Sequence, residues 1–118
     1  MTTDTSLSVT LLQNLPKLRG SFSVPPAHPG FEGHFPATPI LPGFLHIQAA
    51  LELLAAAGTH SRLASVEAAK FTRAIHPQEM VLVELEPVGT GMFEAVLTVA
   101  GTPTSRFTLH VSPQMTKP

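Results

Sequence analysis

The chain has 118 residues, 43% of them apolar and 13% charged, a net charge of −1 and no cysteine. Such a length and composition predict a single globular domain over residues 1–118 and exclude a mostly disordered chain. The near-zero charge argues against nucleic acid and anionic membrane surfaces as partners, and the missing cysteines exclude disulfides, thiol nucleophiles and thiolate metal sites.

The first residues, Met1 to Ser6, lack the basic and apolar regions of an export signal, so a cytoplasmic location is expected. Val9 to Leu15 is a short apolar stretch closed by Pro16, and Gly20 to Val24 alternates Phe22 and Val24 with serines, which predicts a strand. Prolines and glycines crowd the segment from Pro25 to Gly43, so it reads as an irregular loop whose shape is set by restricted φ angles. Pro42 and Gly43 open a helix that runs to about Ala57 and stops at Gly58. The uncharged run from Phe35 to Leu51 is interrupted by prolines, so no membrane insertion is expected.

Between Phe44 and Ala57 only His46, Gln48 and Glu52 are polar, so this helix must be buried on most sides. A strand is expected between Ser65 and Arg73. Period-two runs follow. Val81, Val83 and Leu85 oppose Glu84 and Glu86; Phe93, Ala95, Leu97 and Val99 oppose Glu94 and Thr98; Phe107, Leu109 and Val111 oppose Arg106, Thr108 and His110. With Gly89, Gly91, Gly101 and Pro103 as turn residues, these runs predict an antiparallel meander with one wet face. The expected class is α+β, one long buried helix packed on an antiparallel sheet. One sheet covers only one face of an all-apolar helix, so a dimer partner is implied.

The chemistry concentrates in His28 to Glu52, HPGFEGHFPATPILPGFLHIQAALE. Backbone N–H groups at Gly43, Phe44 and Leu45 begin a helix and sit at the positive end of its dipole, where they can polarise a carbonyl oxygen. Gly43 lets a ligand approach the backbone, and His34 can exchange a proton near neutral pH, as abstraction from the carbon beside a carbonyl requires.

The segment Gly33, His34, Phe35, Pro36, Pro39, Pro42 and Gly43 resembles the signature of the β-hydroxyacyl-acyl-carrier-protein dehydratases, small hotdog enzymes of fatty-acid synthesis. A weaker likeness continues through Val66 to Arg73. The approach to the motif, Ser23 to Pro36, is similar to that of stand-alone dehydratase-like proteins of aryl-polyene and related lipid pathways. The resemblance implies a dimeric hotdog fold without cofactor that removes water from a 3-hydroxyacyl thioester carried by acyl carrier protein or coenzyme A. It makes His34 the base that takes the α-proton, and it places a proton-donating helix carboxylate of the other subunit fourteen residues later. Here that position is Gln48, the main departure from the pattern.

Glutamine can orient a hydroxyl but cannot protonate it, and losing a general acid costs roughly 10² to 10⁴ in rate. Glu52 lies on nearly the same helix face, about 6 Å further along, so it reaches the hydroxyl only through a water or a shifted substrate. Its bland reading is a structural or interface carboxylate, as Gln48's is a buried amide. Phe35, Phe44 and Leu45, with Phe31, Ile40 and Leu41, are candidates to line an acyl tunnel, against the ordinary reading as core, and Pro42 is a candidate substrate-binding residue beside Gly43. Arg62, Lys70 and Arg73 are candidates to dock an acidic carrier. The remaining histidines, His28, His46, His60, His76 and His110, lack metal-ligand spacing, and no metal site is expected. Three functions stay open: a dehydratase as a homodimer, with water supplying the missing proton; a half-active subunit of a heterodimer whose partner supplies the carboxylate; and a thioesterase in which Gln48 and Glu52 position a hydrolytic water.

Overall fold

The computed structural model describes residues 6–14, 16–31, 40–59 and 61–113. Six strands and one long helix follow in the order β1 (Thr10–Gln13), β2 (Leu18–Phe22), a 3-10 turn (Pro29–Phe31), α1 (Gly43–Ala56), β3 (Ser61–Phe71), β4 (Val81–Gly89), β5 (Met92–Val99) and β6 (Thr102–Pro113). The strands form one antiparallel sheet in the order β1-β2-β4-β5-β6-β3, leaving β1 and β3 at its edges. One helix cradled by such a sheet is the hotdog arrangement.

The alternation in the last three runs decides the sheet's inner face. Val81, Val83 and Leu85 of β4, Ala95 and Leu97 of β5, and Phe107 and Leu109 of β6 are fully buried beneath the helix, because successive side chains of a strand point to opposite faces. From α1 the sheet receives Leu45, His46, Ala49, Ala50, Leu53 and Leu54, spaced as one helical face. Small residues set the close approach: a Cβ on Gly20 of β2 would lie 2.6 Å from Leu53 Cδ1. On the other side of α1, Phe44 is 60% exposed, while Ile47, Gln48, Leu51 and Glu52 are half-buried. At 14 residues α1 is too short to span a bilayer, and among the described residues no helix is long and apolar enough to cross one.

Several boundaries differ from the sequence expectation. The apolar stretch after Val9 forms an unassigned edge strand, β1, and β2 starts at Leu18 and ends at Phe22, two residues short of Val24. At the other edge, β3 begins at Ser61, four residues before the expected start. Register shifts at Leu63/Ser65 and Glu67/Lys70, with Ala68 at φ 53°, interrupt its alternation, so a period-two search loses it. Pro103 belongs to β6 rather than to the turn. That turn is Ala100–Gly101, both at positive φ, and Pro103 lies opposite Thr98, at a register shift where a missing N–H is tolerated.

Candidate active site

The site is built where α1 begins. Pro42 occupies the N-cap at φ −63° and ψ 152°, the extended conformation that its ring favours, and places Gly43 at the first helical position. Among the described residues no side chain caps this end, and no acidic residue lies in the first turn. The Leu45 N–H closes back onto the Pro42 carbonyl at 3.0 Å. Gly43 and Phe44 therefore present their amides at the outer, positive end of the helix dipole.

A cleft of about 520 Å³ opens at this end, walled by residues 40–43, His46 and residues 71–74. The walls are tied together. Leu41 N–H donates to the Ile75 carbonyl at 2.8 Å, and Thr72 N–H to the Thr104 carbonyl at 2.9 Å. Below the cleft, Arg73 Nη2 pairs with Glu79 Oε2 at 2.8 Å, while Glu79 Oε1 accepts from the His76 N–H at 2.7 Å. The Arg73 hydrogen bond, reinforced by those from His76, holds the Glu79 carboxyl at about 2. The Arg73 guanidinium thus braces the wall, while Arg62 and Lys70 stand exposed.

The predicted site residues divide into groups. His34 and Phe35, with the rest of residues 32–39, lie outside the described residues. Pro42 and Gly43 line the cleft. The side of Gly43 from which a Cβ would project faces the Phe71 ring at 3.0 Å, so glycine here accommodates an aromatic wall as well as any ligand. Leu45 is fully buried, as are Leu41 and Phe31 almost completely; their side chains belong to the core, and Leu45 packs on Gly30. Ile40 is half-buried and lines the cleft. Phe44, Gln48 and Glu52, one helical turn apart in succession, do not line it. A chain's Gly43 and its own Gln48 therefore address different spaces.

Three residues of the site went unassigned in the sequence. His46 is 2% exposed, with Nδ1 2.8 Å from Ser105 Oγ. Its ring meets Phe71 edge-on at a centroid distance of 5.1 Å and 84° between planes. Burial pushes the imidazole down to about 4, opposed only in part by its hydrogen bond to the Leu41 carbonyl. The signals were present in the pattern: His46 is in helical phase with Ala49, Ala50 and Leu53, and Ser105 is in strand phase with Phe107 and Leu109.

With this geometry in view, comparison with known proteins is decisive on one point. Residues 12–97 match the family described as ApeI-like, ApeI dehydratase. The chain belongs to that family. Among curated relatives, a 3-hydroxyacyl-[acyl-carrier-protein] dehydratase FabZ of Clostridium novyi is 34% identical over 85 residues, covering 60% of this chain and 58% of that protein. A FabZ of Neisseria meningitidis is 30% identical over 107 residues, covering 79% of this chain and 72% of that protein. The chain thus spans little more than half of the first relative's length. Among solved structures, the dehydratase heterocomplex ApeI:P of Xenorhabdus doucetiae superposes with a TM-score of 0.72 at 19% identity, over 88% of this chain and 97% of that one. At that identity the likeness establishes the shared fold.

Proposed function

We propose that this chain takes part in dehydrating a 3-hydroxyacyl thioester, carried by acyl carrier protein or coenzyme A, to the trans-2-enoyl thioester. The observation that carries the reading is the proline-led helix end, without a side-chain cap, opening on a cleft with apolar walls. There the Gly43 and Phe44 N–H groups donate to the thioester carbonyl oxygen and stabilise the charge that builds on it as the α-carbon loses a proton. His34 takes that proton, the C2–C3 double bond forms, and the C3 hydroxyl leaves with a proton as water.

That departing hydroxyl requires a proton donor, which Gln48 cannot be. Because Gln48 sits on the helix face away from its own cleft, it fits a scheme in which each cleft is completed by the central helix of a second subunit. The long β3 edge, with Leu63 and Phe71 exposed, and the outer face of α1, with Phe44 exposed, suit coverage by such a subunit. In a homodimer, Gln48 orients the hydroxyl and water supplies the proton. In a heterodimer, a related subunit contributes a carboxylate at that place, and this chain contributes His34 and Gly43; the ApeI:P relative is described as a heterocomplex.

Incubating the purified chain with a 3-hydroxyacyl pantetheine thioester and following the conjugated enoyl product tests the proposal. Product from the chain alone supports the homodimer. Product only on co-expression with a dehydratase-family subunit carrying the carboxylate supports the heterodimer. No product in either arm overturns the reading, and release of free thiol from simple acyl thioesters replaces it with a thioesterase.

A further inference from the structure

The dehydratase reading uses His34, Gly43 and Gln48, yet the most deeply buried polar pair beside the cleft has no part in it. His46 lies in the first turn of α1 and Ser105 on β6, beside the edge strand β3; they are 2% and 1% exposed. Their hydrogen bond, 2.8 Å between Nδ1 and Oγ, joins residues 59 apart in sequence. Ser105 is also the cross-strand partner of Phe71 in the β3–β6 register, so both side chains rise from one face of the sheet toward the same imidazole. The Phe71 ring then covers Gly43. From Gly43 through Phe71, Ser105 and His46 the contacts form a closed circuit around the helix end.

Leu41 adds the remaining wall, and its carbonyl stands by the His46 ring as an acceptor that favours an N–H there. A carbonyl can only accept, so it takes the single N–H of a neutral imidazole, and Nδ1 is left to accept from the Ser105 hydroxyl. In that tautomer the ring joins α1, the segment leading into it and the β3–β6 ladder, while every polar atom of the pair is used.

We propose that His46 is a positioning residue: as a neutral Nε2–H imidazole locked between the Leu41 carbonyl and the Ser105 hydroxyl, it fixes the Phe71 ring on Gly43 and so sets the direction in which the first amides of α1 enter the cleft. It transfers no proton to or from the substrate. The inference rests on the dehydratase reading for its catalytic consequence, though its structural content stands without it. The half-exposed Phe71 ring becomes the wall against which the acyl carbonyl is placed, because that ring flanks the amides directly.

Two variants separate this role from simple support of the fold. Ser105→Ala removes the hydroxyl that orients the ring. His46→Leu combined with Ser105→Ala removes both side-chain partners at once, so neither is left buried without the other. Nitrogen-15 spectra of the wild-type imidazole at pH 5.5 are expected to show a neutral Nε2–H ring, and amide exchange at Gly43 and Phe44 is expected to rise on the order of tenfold in both variants while Leu97 is unchanged. In the dehydration assay, both variants are expected to lose on the order of 10²-fold in kcat with a smaller change in KM. A protonated or Nδ1–H ring, unaltered exchange at Gly43, or an undiminished kcat in an active protein overturns the proposal. If the wild-type chain and its co-expressed pairs form no enoyl product, the dehydratase reading fails, and the ring tautomer and exchange rates still decide the positioning.

Discussion

Acidification should weaken this fold through His46 before any other shifted group responds. The imidazole is held at about 4 in the folded chain against 6.5 when solvated, chiefly by burial. A depressed folded-state value means that the unfolded chain binds the extra proton first; stability is therefore full above the unfolded pKa and is lost as pH falls toward 4. At ~1.4 kcal/mol per unit, the loss between pH 7 and pH 4 comes to ~3 kcal/mol, a large part of the 5–15 kcal/mol typical of a domain. Glu79, held at about 2 by Arg73 and His76 against 4.5 when free, adds its own loss only below pH 4.5. The interval from 6.5 to 4.5 thus belongs to His46 among the shifted groups. Urea unfolding at half-unit pH steps should show midpoints falling through that interval for the wild type and a markedly flatter profile for His46→Leu/Ser105→Ala. Equal slopes for the two proteins would refute the reasoning, because the double variant has no imidazole at this position to titrate.

Other perturbations follow from the same contacts. Gly20→Ala puts a methyl 2.6 Å from Leu53 Cδ1 and 3.0 Å from the Thr10 carbonyl oxygen, so calorimetry should show a loss of about 1–3 kcal/mol; an unchanged melting temperature would mean that α1 does not press on β2. Gly91→Ala places a Cβ 2.5 Å from the Val111 carbonyl oxygen at φ 67°, and denaturant titration should register a loss above ~1 kcal/mol. Leu53→Ala empties a fully buried site under the sheet and should cost about 2–5 kcal/mol by the same titration. Gln48→Glu restores a proton donor and should raise turnover on the order of 10²-fold; an unchanged rate would remove Gln48 from the leaving hydroxyl.

Where periodicity is unbroken, the elements were readable in the residues. The alternation in Val81–Leu85, Phe93–Val99 and Phe107–Val111 gave three strands and their buried face, and Pro42–Gly43 gave the helix start. The edge strands were less legible for a physical reason: β1 is four residues long, and β3 carries two register shifts that scramble its phase. At the site, Pro42 and Gly43 were legible because proline and glycine act through local backbone geometry. The His46–Ser105 pair was not, since its partners are far apart in sequence and each phase alone marks only burial. Leu45 shows the converse: an apolar residue beside a motif can read as a ligand contact, yet its helical phase with Ala49 and Leu53 turns it into the core.

The most direct test is to titrate nitrogen-15-labelled protein with a 3-hydroxyacyl pantetheine in which an amide replaces the thioester, so that the ligand persists. Shift changes centred on the Gly43 and Phe44 amides and on Phe71 to Arg73 are the predicted result. Changes confined to residues remote from the start of α1, or no binding by the chain alone or by its co-expressed dimer, would contradict a carbonyl-binding helix end.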